Sequence, residues 1–168
     1  MNLKLVMLLA LLQSAQLEEY KTDKNILFQI ERSKDQDKII YEVNWDKNGQ
    51  INSEEPLVIH WIRASNNKKE EKLTWIQNKY AYGVKVLSQE DERVVFQFVS
   101  YDKKSFTLTK TQNGIFTVTG EFDGKEIAIE RIFIQIDGGS FWLPKITKID
   151  IFGTCINSEK QYISTIRP

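Results

Sequence analysis

Apolar and polar positions alternate with a period of two along most of the chain beyond residue 25. Ile26, Phe28 and Ile30 interleave with Leu27, Gln29 and Glu31, and Ile39, Tyr41, Val43 and Trp45 interleave with Ile40, Glu42 and Asn44. β-Branched and aromatic residues at this period mark strands with one buried face. The run Leu57-Val58-Ile59-His60-Trp61-Ile62-Arg63 after Pro56 is apolar on both faces and predicts a central strand. Further strands are predicted over residues 84–87, 93–101, 106–111, 115–122, 125–136, 147–156 and 161–166. Asn113-Gly114 and Asp123-Gly124 fall between alternating runs and predict tight hairpins, because both turn types need positive φ. Asn48-Gly49 and Asn157-Ser158 mark further turns, Asp137-Gly138-Gly139 breaks the pattern, and residues 64–72 read as a charged surface loop.

The period changes once. Leu73, Ile76 and Tyr80 fall on one helical face, and Thr74 and Gln77 have capping-box spacing. Gly83 stands where a helix would end in the left-handed conformation. One short helix over residues 75–82, laid on a sheet, is predicted. The fold class that follows is mainly β: an antiparallel β-sandwich or partly closed barrel of about nine or ten strands carrying that helix.

The amino terminus departs from this pattern. Lys4 precedes the continuous apolar run Leu-Val-Met-Leu-Leu-Ala-Leu-Leu at residues 5–12, and Gln13-Ser14-Ala15-Gln16 follows. This is the layout of a secretory signal peptide, and the run falls short of the roughly 20 residues that span a bilayer. Residues 1–16 are read as the leader, 17–24 as a flexible lead-in and 25–168 as a single domain. The expected location is the periplasm or the exterior, with no transmembrane segment once the leader is removed.

Composition narrows the chemistry. The 23 basic and 23 acidic residues balance, which gives no basic excess for a nucleic-acid partner. The single cysteine, Cys155, cannot form an internal disulfide and sits in strand-like surroundings. The single histidine, His60, shares a strand face with Val58 and Ile62 and reads as a packed side chain. One His and one Cys are too few for a zinc site, and no Gly-x-Ser-x-Gly elbow or phosphate loop is present. No cofactor is expected. Asp46-x-Asn48-Gly49, with Glu54 and Glu55 beyond, has a partial likeness to a calcium loop, but lying between strands it reads as a polar hairpin turn. The remaining carboxylates, among them Asp91, Glu92, Glu121, Asp123 and Glu130, could serve a glycosidase only if two of them converged.

The densest unusual segment is residues 73–85, together with the strand before it. Trp61, Trp75, Tyr80 and Tyr82 could wall a pocket, with Arg63, Lys79 and Lys85 offering charge to an anionic group. The competing reading is that a helix packed on a sheet simply needs large apolar side chains.

Several motifs carry a family resemblance. Glu31-Arg32-Ser33, Asn48-Gly49 and Pro56 with Val58-x-x-Trp61-Ile62-Arg63 come first. Glu71-x-Leu73-Thr74-x-Ile76-Gln77-x-Lys79-Tyr80-Ala81-Tyr82-Gly83-Val84-Lys85 and Ile149-x-Ile151-Phe152-Gly153 follow. Together they resemble a family of exported bacterial proteins, mainly from Bacteroidota, described only as a domain of unknown function. The resemblance spans roughly residue 25 to the C-terminus. It implies an envelope or secreted setting and no activity.

Three functions fit these readings. The first is a non-enzymatic exported module binding a small amphipathic ligand or an envelope protein. The second is a carboxylate-based hydrolase acting on an envelope or extracellular polymer, and the third is a structural envelope component. The absence of any catalytic motif favours a binding module over an enzyme. A deep apolar cavity under the helix would distinguish the first, converging carboxylates in an open cleft the second, and a filled core with an exposed apolar patch the third.

Overall fold

The computed structural model describes residues 25–67, 69–140 and 143–168. The leader and lead-in read from the sequence lie outside these residues. The described chain is mainly β, with one short helical segment on a curled sheet that forms half a barrel.

The strands are β1 (Ile26–Arg32), β2 (Lys38–Val43), β3 (Leu57–Arg63), β4 (Lys69–Lys72), β5 (Val84–Glu90), β6 (Arg93–Phe98), β7 (Tyr101–Lys110), β8 (Phe116–Phe122), β9 (Lys125–Gly139), β10 (Pro144–Cys155) and β11 (Gln161–Ile166). The helical segment between β4 and β5 starts as α1 (Trp75–Gln77) and continues as a π-helical turn (Asn78–Tyr82).

β9 organises the sheet. One of its edges pairs with β10 through most of its length, and β10 pairs in turn with β11. The other edge is divided. Its first residues, Lys125 to Ala128, pair antiparallel with β8, while Arg131 to Ile134 pair parallel with β1. The sheet therefore forks into two arms, β1-β2-β3-β4 and β8-β7-β6-β5. The arms meet through aromatic side chains: Phe98 of β6 makes edge contacts with Phe28 of β1 at 6.1 Å and Tyr41 of β2 at 5.7 Å. Phe98 also contacts Phe106 at 4.9 Å, which extends the buried cluster along β7. Such edge-to-face pairs add to plain area burial.

The fork needs a bulge. Phe152 faces Arg131 and Gly153 faces Ile129, so Glu130 is left over. Inward residues of β9 consequently change parity, from Ile127 and Ile129 to Ile132, Ile134 and Ile136, and the apolar face stays continuous. Gly153 permits this approach, because a Cβ there would stand 2.1 Å from the Ala128 carbonyl oxygen.

The hairpins at Asn113-Gly114, Asp123-Gly124 and Asn157-Ser158 and the turn at Asn48-Gly49 form where expected. Gly114 and Gly124 have φ of 75° and 71°, and Thr111 closes its turn with Ile115 through a 2.8 Å backbone bond. Asp46 organises the turn at Asn48-Gly49, with its Oδ1 accepting the Asn48 and Gln50 N–H groups at 2.8 and 3.0 Å. That carboxylate is engaged by the turn's own backbone, and the Gln50 N–H leads the causes that hold it below its ordinary pKa.

Five local expectations change. The strand predicted over 93–101 is interrupted by a turn at Val99-Ser100, and β7 begins at Tyr101 in place of Phe106. Pairing of β1 with β9 is parallel, which period-two patterning cannot reveal. The predicted loop at 64–72 contains edge strand β4, whose Lys-Glu-Glu-Lys sequence has no apolar rhythm because an edge strand can be blunted with charge. The glycine pair that should break the chain is paired strand instead, with φ of 89° at Gly138 and 84° at Gly139. Gly83 is extended, with φ −66° and ψ 169°, and not left-handed. Its glycine is required by proximity: a Cβ would lie 1.9 Å from the Asn78 carbonyl oxygen.

Candidate functional site

The helical segment carries the chain from the outer edge of one arm, β4, to the outer edge of the other, β5. Its start is the expected capping box, with Thr74 Oγ1 accepting the Gln77 N–H at 3.3 Å and Gln77 Oε1 accepting the Thr74 N–H at 3.0 Å. Three bonds from below hold it in place. Trp61 Nε1 donates to Gln77 Oε1 at 3.2 Å, Tyr41 Oη donates to the Tyr82 carbonyl at 2.6 Å, and Ser100 Oγ donates to the Ala81 carbonyl at 2.6 Å. Burial pushes the Tyr41 phenol well above its ordinary pKa, so it remains a donor across the physiological range.

Beneath the segment is a cavity of about 610 Å³. This volume lies within the usual range for small-molecule sites. Its floor is a lattice of isoleucines set by strand register. Ile132 stands between Ile30 on β1 and Ile151 on β10, and Ile134 faces Ile149, which faces Ile166 on β11. Ile136 pairs with Ile146 beyond them. β-Branched side chains have few χ1 rotamers, so such rows hold their shape with little freedom to collapse inward. Ile76, Tyr80 and Tyr82 from the helical segment line the opposite wall, with Phe98, Tyr101 and Phe106 from the second arm.

Charged groups gather on one side. Arg32, Lys34 and Asp35 line the cavity where β1 passes into the turn toward β2. Ser33 pins this turn to β9: its N–H donates to the Ile134 carbonyl at 3.0 Å, and its Oγ accepts the Ile136 N–H at 2.9 Å. The Arg32 guanidinium lies 4.6 Å from the Trp61 ring centroid, donates from Nη1 to Tyr82 Oη at 3.0 Å and pairs through Nη2 with Asp35.

The seven residues read from the sequence divide into groups. Tyr80 and Tyr82 line the cavity. Trp61 is buried behind it, at 1% exposure, in edge contact with Tyr82 at 5.3 Å, and it supports Gln77 and Arg32. Arg63 also stacks on Trp61, at 4.2 Å, but its polar atoms are engaged by Asp37 at 2.7 Å and Glu71 at 3.1 Å. Burial alone would lower the Arg63 pKa and raise that of Asp37; the bonds and charges of Asp37 and Glu71 on Arg63, and those of Arg63 with the Ala64 N–H and the Arg32 charge on Asp37, reverse both directions. Trp75 and Lys79 are on the outer side of the segment, where Lys79 Nζ lies 4.8 Å from the Trp75 ring. Lys85 is exposed on β5, opposite Gln97.

Sequence reasoning missed Arg32 and the isoleucine floor. The signal for Arg32 was present in β1, where Phe28, Ile30 and Arg32 recur at period two and place a charge at the end of an apolar face. For the isoleucines, alternation predicts an inward face but not whether that face is filled.

His60, Asp123 and Glu130 do not line the cavity. His60 is buried between Ile40 and Lys72 in the strand register. Asp123 accepts the Tyr162 hydroxyl at 2.8 Å, and Glu130 accepts the Thr154 hydroxyl at 2.8 Å. Among the described residues no group of three or more His, Cys, Asp or Glu side chains could hold a metal ion, and no helix is long and apolar enough to cross a membrane.

No curated protein and no solved structure matches the chain. A family model does match, over residues 28–164, which takes in both arms, the helical segment and the cavity floor as far as β11. The chain belongs to that family, described as a domain of unknown function, DUF4833.

Proposed function

We propose that this protein is an exported, non-enzymatic binding module that holds a small amphipathic molecule in the cavity beneath the helical segment. The observation that carries the reading is the isoleucine-lined space of about 610 Å³, with its charged side chains, Arg32, Lys34 and Asp35, together on one side of it. An apolar tail placed there gains roughly 0.8 kcal/mol for each methylene removed from water. The gain comes without large reorganisation, because register and β-branching set the floor beforehand. The apolar leader at residues 5–12 supports export to the periplasm or beyond. The even charge balance supports a ligand or envelope partner over nucleic acid.

Native mass spectrometry of protein purified from its own envelope without detergent tests the reading, coupled to solvent extraction of the same sample. A stoichiometric apolar species, lost in the cavity-filling variant Ile134→Trp, is the expected result. A clean ligand-free mass in wild type, or an equal load in Ile134→Trp, overturns it.

A further inference from the structure

Arg32 is incompletely satisfied. Its Nη1 and Nη2 have partners, but its Nε is buried and has no hydrogen-bond acceptor. An unmet donor on a charged, largely buried group is costly, and the guanidinium offers its donors in a rigid fork suited to two-point recognition of a carboxylate or phosphate. The carboxylate now on Arg32 belongs to Asp35, in an exposed turn, with its side chain one-third exposed. Asp35 is otherwise engaged only locally, accepting the Asp37 N–H at 3.2 Å. The ionisable lining of the cavity contains two cations, Arg32 and Lys34, against this one carboxylate.

Register gives these groups a place along the cavity. Arg32 stands opposite Ile134 in the parallel β1–β9 pairing, one step beyond Ile30 and Ile132. The guanidinium therefore begins the row that continues through Ile134, Ile149 and Ile166. A molecule whose tail follows that row leaves its head at Arg32.

We propose that the ligand is an anionic single-chain amphiphile, and that its head replaces Asp35 on Arg32. Asp35 is then a built-in stand-in for the head, satisfying the arginine when the cavity is empty and competing with the ligand when it is not. This rests on the cavity being a ligand site. It adds the charge of the head, the residue that reads it and the residue that opposes it.

Calorimetric titration of the purified protein with laurate below its micellar range and with dodecanol below its solubility limit, both at neutral pH, separates the two claims. The probes share a tail and differ in head charge. Wild type should bind laurate about tenfold or more tighter than dodecanol, as expected for a charge-assisted bond within the site. Arg32→Gln should abolish the preference, bringing the ratio of laurate to dodecanol affinity down to about one. Asp35→Asn, in the exposed turn, should raise the ratio of laurate to dodecanol affinity severalfold by tightening laurate, and it keeps the test informative should Arg32→Gln fail to fold. Equal affinity of wild type for both probes, or no gain for laurate in Asp35→Asn, overturns the anionic assignment while the cavity reading stands. Binding of neither probe, or binding of both that survives Ile134→Trp, overturns both.

Discussion

Trp61 on β3 and Gln77 in the helical segment share one hydrogen bond, from indole Nε1 to Oε1 at 3.2 Å, and the same oxygen accepts the Thr74 N–H at 3.0 Å. One side-chain carbonyl thereby closes the start of the segment and fastens it to the sheet. Gln77→Ala should cost about 1–3 kcal/mol, because it strips a buried indole donor of its partner and removes half of a capping box. Urea unfolding gives the magnitude. Binding of any cavity ligand should weaken in the same variant, since the segment is one wall of the site.

Two tryptophans at the helical segment, Trp61 beneath it and Trp75 within it, should behave oppositely. Trp61 is at 1% exposure and supports Arg32, Arg63, Tyr82 and Gln77, whereas Trp75 is at 68%. Trp61→Ala should cost about 3–5 kcal/mol in unfolding free energy, and Trp75→Ala about 0.5 kcal/mol or less. Chemical denaturation of the pair checks this. Comparable losses would mean that Trp75 is packed against something beyond the described chain.

The contrast also shows what the sequence could and could not convey. Alternation, Asn-Gly and Asp-Gly turns and the Thr74–Gln77 spacing made the strands, most hairpins and the helix legible, because each is a local property. The fork at β9 was not, because it depends on a parallel pairing between residues about a hundred positions apart and on one extra residue, Glu130, that shifts the inward face. The candidate site was half legible for the same reason. Aromatic density found the helical wall with Tyr80 and Tyr82, but also drew in Trp75, Lys79 and Lys85, since density does not say which side of an element a residue takes. The isoleucine floor needs the register of four strands before it exists as a surface.

Gly83 should tolerate no side chain, although its backbone angles are ordinary. With φ at −66° an alanine would be unstrained in itself, and the obstacle is the Asn78 carbonyl 1.9 Å from the added Cβ. Gly83→Ala should therefore destabilise the fold by about 1–3 kcal/mol, as expected of overpacking. Gly114→Ala supplies the comparison, because its cost comes from a φ of 75° while nothing lies within 4 Å of the added Cβ. Crystal structures of the two variants should show a displaced π-helical turn only in the first.

Stability should fall on acidification in part through Asp37. Burial pushes this carboxyl up, but the hydrogen bonds from Arg63 and the Ala64 N–H, with the charges of Arg63 and Arg32, outweigh that and hold its pKa below the ordinary 3.8. A depressed carboxylate pKa means that the unfolded chain binds the proton first. The stabilisation is thus present above about pH 4 and is lost as pH falls through the folded value. Asp46, Asp137 and Asp150 are depressed as well, so the wild-type curve is a composite. The difference between wild type and Asp37→Asn isolates one member. Asp37→Asn should be the less stable protein at neutral pH and should approach wild type as the pH falls through the depressed folded pKa of Asp37. Urea midpoints at a series of pH values measure this, and a gap of constant size would assign the effect to packing in place of charge.

Two isoleucines on the same strand offer a test of whether the cavity floor is open. Ile127 is at 0% exposure within the closed part of the core, where β9 lies between β8 and β10. Ile134, on the same inward face after the bulge, borders the cavity and is only partly buried. Truncating a packed isoleucine forfeits its transfer free energy and leaves a new void, so Ile127→Ala should cost about 2–5 kcal/mol. Ile134→Ala removes the same atoms from a wall that already faces empty volume. Fewer contacts are lost, and its cost should be about half as large or less. A ligand resident in the purified protein would change the comparison, because Ile134 would then be packed against it. Equal costs before solvent extraction, and the predicted inequality after it, would therefore reveal an occupied site through stability alone.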